Sequence, residues 1–458
     1  MTPNDASVVH VVGGGLAGCE AALQLVRFGI PVHLHEMRPH TSTEAHRSGS
    51  LAEIVCSNSL KSTTTTTASG VFKLELRRLG CELLRLADTV SVPAGSALAV
   101  DRDRFSAVVE ERIAGEALIT VVREQVTQLP RCADAIWIIA TGPLTAPSLR
   151  DDLVALTEDD GLYFYDAIAP TVTLDSLDLD RLYRAARYDR GEADYWNAAF
   201  DRNGYEAFVE ALTTAERASV QSFDRSELFD GCLPVEEIAS RGLKTLAHGP
   251  LRPVGLRDPK TGEHPYAVVQ LRQENAEGTL FGLVGFQTRL RQAEQRRVLR
   301  MIPGLENAEF VRYGQLHRNF YLDTPRRLDP AFGLIDHPHL RFAGQITGVE
   351  GYVESIASGL WTAWLIASDR HGLRLPDLPG TTLLGSLLQG YLRDTTADHL
   401  TPMNVHFGLL PTLPDSPQGR RSKHDRKVAQ GERAITHLTS WLRSDDVRAF
   451  LERSAPGC

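Results

Sequence analysis

The chain has 458 residues, of which 42% are hydrophobic and 23% charged, and its formal net charge at pH 7 is −9. This length predicts two to three domains, and the composition is that of a soluble globular protein. The negative charge argues against nonspecific nucleic-acid binding over the whole surface, although a local basic face is compatible with it.

The sequence carries no signal for targeting, membrane insertion or metal binding. No apolar run approaches the roughly 18 residues that a membrane span needs, and residues 1–7 lack the features of a signal peptide. The cysteines form no CxxC pair and no dense cluster, which argues against zinc and a disulfide scaffold; they are Cys19, Cys56, Cys81, Cys132, Cys232 and Cys458. We therefore expect a cytoplasmic protein with free thiols, without a metal or a membrane partner.

The first 36 residues have the pattern of a dinucleotide-binding βαβ unit. An apolar run, Val8–Val12, precedes a Gly-x-Gly-x-x-Gly loop, and a helix-prone stretch follows the loop and ends at Gly29. A second apolar run, Ile30–His35, then ends at the acidic residue Glu36. The loop residues that we expect to contact the cofactor are Gly13, Gly14, Gly15, Ala17 and Gly18.

Each glycine of this loop has a physical role in such a unit. Gly13 permits the tight turn, Gly15 lets the backbone approach a pyrophosphate, and Gly18 lets the helix pack closely on the strand. The helix N-terminus offers N–H groups and a positive dipole to the phosphates, and Glu36 is placed to accept hydrogen bonds from ribose hydroxyls. A glycine-rich turn in an ordinary βαβ unit is the alternative, but the strand and the acid favour dinucleotide binding.

Residues 39–142 predict a functional loop and the remaining elements of the same domain. Turn-forming and polar residues dominate Pro39–Lys61, which contains Cys56, and the run Thr63–Thr67 predicts a solvated, mobile loop. Apolar spacing predicts one amphipathic helix over residues 72–86. Strands are expected at Ile119–Val122 and at 135–140, where the chain passes into Gly142 in a way typical of its exit from an FAD domain.

The middle of the chain is mixed. We predict a helical stretch over Tyr195–Arg217, a hairpin of strands at Ala267–Arg272 and Thr279–Val284, and a basic helix over Gln287–Met301. A turn, FDGCLP, carries Cys232.

The chain then returns to the first domain. A strand at Leu340–Ala343 precedes a second glycine-rich loop, and a helix over Val353–Ser368 follows it. We expect this loop to close over the flavin end of the same cofactor through Gly344, Gln345, Gly348, Gly351 and Tyr352. The sequence therefore predicts an α/β protein with a Rossmann-type, glutathione-reductase-like FAD-binding domain. Its expected parts are residues 1–150 with 326–375, an inserted α/β domain at 151–325, and a helical C-terminal segment at 376–458.

Several stretches together resemble one known family. VVGGGLAGCEAA, EIVCSNSL, PAGSALAVDRDRFS, YFYDAIAP, GCLPVEEIASRG, LVGFQT, RYGQLHRN and FAGQITGVEGYVESIASG occur in this order. They resemble the bacterial folate- and FAD-dependent tRNA uracil-5-methyltransferases, and the similarity extends from about residue 8 to at least residue 445. The run Thr63–Thr67 departs from the family pattern, which leaves the contacts of this loop open.

The resemblance implies methylation of carbon 5 of the T-loop uridine at tRNA position 54. The methylene group would come from 5,10-methylenetetrahydrofolate, and the electrons from FADH₂ that NADH or NADPH regenerates. Such chemistry needs a thiolate that adds to carbon 6 and a base that removes the carbon-5 proton. By resemblance Cys232 is the nucleophile and Cys56 the general base beside the flavin, although spacing alone cannot assign the two roles. Packing is the alternative for any single cysteine, and we accept it for Cys19, Cys81 and Cys132.

The remaining substrate contacts are expectations of the same kind. His317 is the candidate to stack against the pterin, with a structural histidine as the alternative, and Arg318 and Asp166 are expected in the same substrate region. The basic C-terminal segment, with Arg420 and Arg421, could contact phosphates of the tRNA T-arm, although a solvated helix face is an equally good explanation.

Two other functions are open at this stage. One is modification of a tRNA wobble uridine, as in the longer MnmG/GidA proteins that share the FAD blocks; the chain length and the Cys232 turn favour the shorter family. The other is a flavin-bound tRNA-binding or folding factor without essential turnover.

Overall fold

The structure is a computed structural model that describes residues 8–157, 162–189, 192–218, 233–394, 396, 400–414 and 422–454. The first part of the chain forms two βα units with a small subsheet inserted between them. Its elements are β1 (Val9–Val12), α1 (Leu16–Arg27), β2 (Val32–His35), β3 (Ser59–Ser62), α2 (Ala68–Arg78), α3 (Glu82–Thr89), β4 (Ser91–Val92), β5 (Ala97–Val100), α4 (Arg102–Ala114), β6 (Ile119–Val122), β7 (Ile136–Ile139) and α5 (Pro147–Thr157).

The middle part is dominated by strands. Its elements are β8 (Leu162–Ala167), β9 (Thr171–Thr173), β10 (Leu182–Arg184), β11 (Trp196–Phe200), α6 (Arg202–Thr214), α7 (Val235–Ala239), α8 (Thr245–His248), β12 (Ala267–Gln273), β13 (Leu280–Leu283), α9 (Gln292–Leu299), β14 (Phe310–Arg312) and β15 (Leu316–Tyr321). The chain ends with α10 (Thr324–Arg327), β16 (Gly333–Leu334), β17 (His337–Phe342), α11 (Tyr352–His371), α12 (Leu383–Gly385), α13 (Lys423–Leu442) and α14 (Asp445–Leu451).

The main sheet is of the Rossmann type. Its described strands run in the order β16-β17-β7-β1-β2-β6, and every neighbouring pair from β17 to β6 is parallel. Helices α1 and α11 pack against each other so closely that a Cβ added to Gly359 would lie 2.2 Å from the carbonyl oxygen of Ala17. The sheet confirms the predicted α/β class, and its strand β17, which follows the middle segment, pairs with β7.

The middle part forms a second sheet and a second apolar core. Its described strands are ordered β10-β11-β12-β13-β9-β14 and pair antiparallel. The hairpin predicted at 267–284 is confirmed as β12 and β13. The buried apolar residues of this part, between Val172 and Ala308, form a cluster separate from that of the main sheet. The exact domain boundaries stay a prediction.

The C-terminal segment packs on the first core. The ring of Phe450 lies 4.5 Å from that of Phe28 on the main-sheet unit, and Trp441 lies 6.2 Å from Trp361. The buried residues of α13 and α14 belong to the same cluster as the main sheet. The helical prediction is confirmed for α13 and α14.

Three sequence predictions of helices were wrong in their extent. The helix predicted over 72–86 is two helices, α2 and α3, because Gly80 between them has a left-handed φ of +78°. The stretch predicted over 195–217 starts as strand β11, which pairs with β12. The helix predicted from Gln287 starts only at α9, because residues 287–289 are extended: the carbonyl of Gln287 accepts from Val235 N (2.7 Å) and that of Arg289 from Ala218 N (2.8 Å).

Candidate functional site

In the glycine loop after β1, the space beside Gly15 is open to a ligand, whereas neighbouring atoms occupy the space beside the other glycines. A Cβ on Gly18 would lie 1.9 Å from the carbonyl oxygen of Gly13, and one on Gly13, whose φ is +106°, would lie 2.5 Å from that of Ala140. A Cβ on Gly15 would meet nothing within 4 Å, and no side chain caps helix α1 there. This is the arrangement that brings a pyrophosphate to a helix N-terminus.

The two glycine loops open into one cleft. The cleft lies at the carboxyl ends of β1 and β7, where open α/β sheets bind ligands. The predicted cofactor residues that line it are Gly13, Gly15, Ala17, Glu36, Gly142, Gly344, Gln345 and Tyr352. Four predicted cofactor residues do not line the cleft: Gly14, Gly18, Gly348 and Gly351. An added Cβ on each of them would lie 2.4 Å or less from another atom.

Glu36 is held by its neighbours within the protein. Its Oε2 accepts from Gly14 N (2.8 Å) and Arg38 Nη2 (3.1 Å), and its Oε1 accepts from Arg38 N and Nε (both 2.9 Å). Burial raises the pKa of Glu36, but the hydrogen bonds and the charge of Arg38 outweigh it, so the pKa is lowered overall. Because a carboxylate has about four acceptor sites, a ribose hydroxyl would have to replace a bond from Arg38.

The loop that carries Cys56 lies between the small sheet β3-β5-β4 and the second sheet. The amide of Asn58 donates to the carbonyl of Val100 on β5 and to that of Gln273 on β12 (both 3.0 Å). The thiol of Cys56 is half-buried and donates to the carbonyl of Ala167 (3.7 Å), at the end of β8. Elements of both cores therefore position this cysteine.

Three arginines fix the backbone and side chains of this loop. Arg312 Nη1 donates to the carbonyl of Val55 (2.5 Å), and Arg102 Nη2 donates to that of Cys56 (3.2 Å). Arg272 donates from Nη2 to the hydroxyl of Ser57 (2.6 Å) and from Nε to the side-chain oxygen of Asn58 (2.9 Å). None of these three arginines was predicted from the sequence as a site residue.

Positive charge is in excess around the loop. Arg102 pairs with Glu274 (2.9 Å), whose side chain is 7% exposed, whereas Arg272 and Arg312 form no ion pair with a described residue. Burial lowers the pKa of Arg272, and burial with the nearby Arg102 and Arg47 lowers that of Arg312 to about 10. An electropositive surrounding of this kind favours the thiolate of a neighbouring cysteine.

Tyr352 connects the Cys56 loop to the second glycine loop. Its hydroxyl oxygen accepts from Cys56 N (2.7 Å) and Ser57 N (3.3 Å), and its ring lines the cleft. Burial raises the pKa of this hydroxyl, and the nearby Cys56 raises it further. Tyr352 thus stays a neutral phenol that holds the loop at the cleft.

His317 is buried, and its ring forms no hydrogen bond with any described residue. Only 6% of the residue is exposed, and neither ring nitrogen has a hydrogen bond in the described structure. The Oε2 of Glu44 is 3.9 Å from its Nδ1, and burial lowers the pKa of the imidazole. The strand pairing sets position 317 opposite position 166; the side chains of Asp166 and Arg318 lie outside the described part.

Position 232 lies outside the described residues, as do Arg420 and Arg421. The segment that follows position 232 is anchored by a buried carboxylate, that of Glu236. Its Oε2 accepts from the hydroxyl of Thr288 and its Oε1 from Arg289 N (both 2.8 Å). This acid of the GCLPVEE motif was also missed by the sequence analysis, although its motif was recognised.

The other described cysteines have structural surroundings. Cys19 and Cys81 are buried, and burial raises the pKa of each thiol. Cys132 is exposed beside Asp134. In the part of the chain that the structure describes, no group of three or more His, Cys, Asp or Glu side chains could hold a metal ion. No helix among the described residues is both long and apolar enough to cross a membrane.

Comparisons with known proteins give one consistent result. The family model "Glucose inhibited division protein A" matches residues 8–374. A protein of Desulforudis audaxviator named methylenetetrahydrofolate–tRNA-(uracil-5-)-methyltransferase TrmFO is 52% identical over 434 residues, which cover 95% of this chain and 98% of the relative. A protein of the same name from Geobacter sulfurreducens is 51% identical over 435 residues, with the same coverage.

The solved structures agree on the fold. A structure of Aquifex aeolicus GidA has a TM-score of 0.67 at 15% sequence identity, and the match covers 99% of this chain and 76% of that protein. A second crystal form of the same protein has a TM-score of 0.66. At this identity the structural likeness supports the architecture alone.

Proposed function

Since the chain belongs to the TrmFO family of methylenetetrahydrofolate–tRNA-(uracil-5-)-methyltransferases, we propose that it methylates carbon 5 of the T-loop uridine of tRNA. The one-carbon donor is 5,10-methylenetetrahydrofolate. The observation that carries the proposal is the identity of 52% over 95% of the chain with a relative of that name. Wobble-uridine modification has less support, because the relatives at 52% and 51% identity carry the methyltransferase name, whereas the solved GidA structures match at 15% identity and support the fold alone.

The cleft fits FAD. Gly15 leaves its backbone open to a pyrophosphate, Gly13 and Gly18 make the close contacts of the turn, and the second glycine loop closes the far end. When bound and reduced, FAD supplies the hydride that completes the methyl group, and NADH or NADPH is the reductant that regenerates it. Glu36, held by Arg38, presents a charged acceptor near the glycine loop.

The protein's own thiols carry the covalent and acid–base steps. The thiolate of Cys232 forms a bond to carbon 6 of the uracil, and carbon 5 then bonds to the folate methylene carbon. Cys56 accepts the proton that leaves carbon 5, and the bond between the methylene carbon and the folate nitrogen breaks, so that tetrahydrofolate leaves and an exocyclic methylene remains on carbon 5. Addition of a hydride to this methylene would complete the methyl group, and the bond between carbon 6 and Cys232 then breaks. Arg272 and Arg312 place positive charge beside this loop, which favours the thiolate form that a cysteine needs to act as a base.

His317 serves the folate. Both nitrogens of this buried imidazole lack a described hydrogen-bond partner, so its N–H is available to donate to a ligand. The lowered pKa keeps the ring neutral at physiological pH, which suits stacking on a pterin. The pairing of β15 with β8 brings Arg318 and Asp166 to the same ribbon, where we propose that they contact substrate.

Nucleoside analysis of cellular tRNA tests the function. A strain that lacks the gene should lack ribothymidine, and the intact gene and Cys132→Ala should restore it, because Cys132 is exposed and does not line the cleft. Cys232→Ala should not restore it. Loss of a wobble modification in place of ribothymidine would support the GidA-like alternative, and full restoration by Cys232→Ala would support a binding or folding factor.

A further inference from the structure

A second, larger cleft lies on the first domain, away from the cofactor cleft. Its volume is about 810 Å³, and it shares no lining residue with the cofactor cleft. Three segments form its walls: the end of the threonine run with the start of α2, the loop 404–414, and the first half of α13. It thus joins the two sequence features to which the catalytic account gives no role, the threonine run and the basic C-terminal helix.

The walls of this cleft carry positive charge from separate parts of the chain. Among the described residues, the ionisable side chains that line it are those of Lys61, His406, Arg426 and Lys427, and none of them is a carboxylate. Arg426 and Lys427 have no side-chain hydrogen bond or ion pair with a described residue, so their charges are not neutralised within that part of the chain. In a chain with a net charge of −9, this concentration is a local basic site.

Specific contacts hold the walls of this cleft together. Gln430 on α13 donates to the carbonyl of Phe407 (3.3 Å), which ties the helix to the loop. A Cβ on Gly431 would lie 2.9 Å from Val71 on α2, so the glycine allows α13 to approach α2 closely. The ring of Phe407 and neighbouring apolar side chains form the floor between the charged groups.

Lys61 connects this cleft with the catalytic cleft. Its φ of +64° is left-handed, a conformation that costs a non-glycine residue energy and often marks function. Its Nζ lies 3.3 Å from Oε1 of Glu354, whose side chain is 1% exposed. A Cβ on Gly351, in the second glycine loop, would lie 3.1 Å from this Nζ. The ammonium group therefore lies between the basic cleft and the loop at the flavin end.

We propose that this basic cleft binds the sugar–phosphate backbone of tRNA beside the T-loop, with Lys61, His406, Arg426 and Lys427 as phosphate ligands. The inference rests on the proposed function, since it names the surface that holds the RNA substrate. Cations around an apolar floor with an aromatic ring match a nucleotide, whose phosphate is charged and whose base stacks. The ion pair of Lys61 with Glu354, three residues after Gly351, places this end of the basic cleft beside the second glycine loop.

RNA binding by the FAD-loaded full-length protein tests the proposal. The dissociation constant of a fluorescent tRNA transcript would be measured at several salt concentrations for the wild type and for the double variant Arg426→Met/Lys427→Met. The expected result is at least about tenfold weaker binding and a salt slope smaller by about 1.5 to 2, because two phosphate contacts are lost. Flavin content, measured by absorbance, should not change.

A control variant that loses the same number of positive charges shows whether RNA binding depends on the charges of this cleft or on the net charge of the protein. Arg443→Met/Arg448→Met removes two exposed positive charges of the tail outside the cleft, and its RNA affinity and salt slope should equal those of the wild type. Wild-type RNA affinity in the cleft variant, or equal weakening in both variants, would overturn the proposal. A raised KM for polyglutamylated over monoglutamylated folate, with unchanged RNA affinity, would assign the cleft to the folate tail instead. A wild type that does not methylate tRNA would contradict the proposed function itself.

Discussion

Removal of one oxygen atom, by Tyr352→Phe, should release the loop that carries Cys56. The tyrosine hydroxyl accepts hydrogen bonds from two backbone N–H groups, Cys56 N at 2.7 Å and Ser57 N at 3.3 Å. A net hydrogen bond contributes about 0.5–1.5 kcal/mol, so the two together stabilise the closed loop by about 1–3 kcal/mol. A phenylalanine keeps the ring in the cleft and removes both acceptor sites.

Hydrogen–deuterium exchange of the loop measures this change directly. A loss of about 1–3 kcal/mol corresponds to a roughly 5- to 150-fold increase in local opening, and the amides of residues 55–58 should exchange faster by a factor in that range. Tyr391→Phe is the control, because it removes a tyrosine hydroxyl that bonds to the carbonyl of Thr401 (2.6 Å) and does not touch the loop. Unchanged exchange in folded Tyr352→Phe protein, or equal changes in both variants, would refute the reasoning.

Three further changes test packing, pH dependence and charge. Gly359→Ala should destabilise the protein by about 1–3 kcal/mol in urea unfolding and lower its flavin content, because the new Cβ would lie 2.2 Å from the carbonyl oxygen of Ala17. Burial raises the pKa of Glu75 to about 7 from 4.5. Because the folded state holds this proton more tightly than the unfolded state, the free energy of unfolding should fall by roughly 3 kcal/mol as the pH rises from about 4.5 to 7. Glu75→Gln should remove this fall, which urea unfolding at pH 5 and pH 8 measures. Arg272→Met removes a buried positive charge beside Cys56. It should slow alkylation of that thiol at pH 7 about tenfold, which corresponds to a loss of about 1.4 kcal/mol of thiolate stabilisation. Peptide mass spectrometry measures the alkylation rate.

Each of these changes has a matched control. A Cβ on Gly380 meets nothing within 4 Å, so Gly380→Ala should leave stability and flavin content unchanged. Glu111 is exposed, and Glu111→Gln should keep the wild-type pH profile. Arg202 is an exposed arginine that pairs with Glu206, and Arg202→Met should leave Cys56 alkylation unchanged. A variant that behaves like its control contradicts the corresponding prediction.

Local patterns predicted the main sheet well. The Gly-x-Gly-x-x-Gly loop predicts β1, α1 and β2 because part of its glycine requirement is local, as in the contact of Gly18 with Gly13. Strand β6 has the predicted bounds Ile119–Val122. The prediction of one helix over 72–86 was wrong at Gly80, because apolar spacing carries no information on a left-handed turn. A side chain of α1 also stabilises this turn: Arg27 donates to the carbonyl of Leu79 (2.9 Å).

The surroundings of Cys56 were beyond prediction from one sequence. The loop motif indicated a functional cysteine, but its arginines come from α4, β12 and β14, up to 257 positions away along the chain. Only folding brings Arg102, Arg272 and Arg312 together, and no local pattern announces such contacts. Likewise, the acid Glu36 was predicted from its spacing, whereas its bonds to Arg38 follow from the turn that the chain makes after β2.

The central claim is that the methyl group is assembled from a folate methylene and a hydride. The direct measurement is mass spectrometry of ribothymidine formed on a tRNA transcript, with NADPH present and two deuterium atoms on the methylene carbon of 5,10-methylenetetrahydrofolate. The account predicts a methyl group with two deuterium atoms and one ordinary hydrogen, and no label when the deuterium is on the methyl group of S-adenosylmethionine. A methyl group with three deuterium atoms from S-adenosylmethionine, and none from folate, would contradict it.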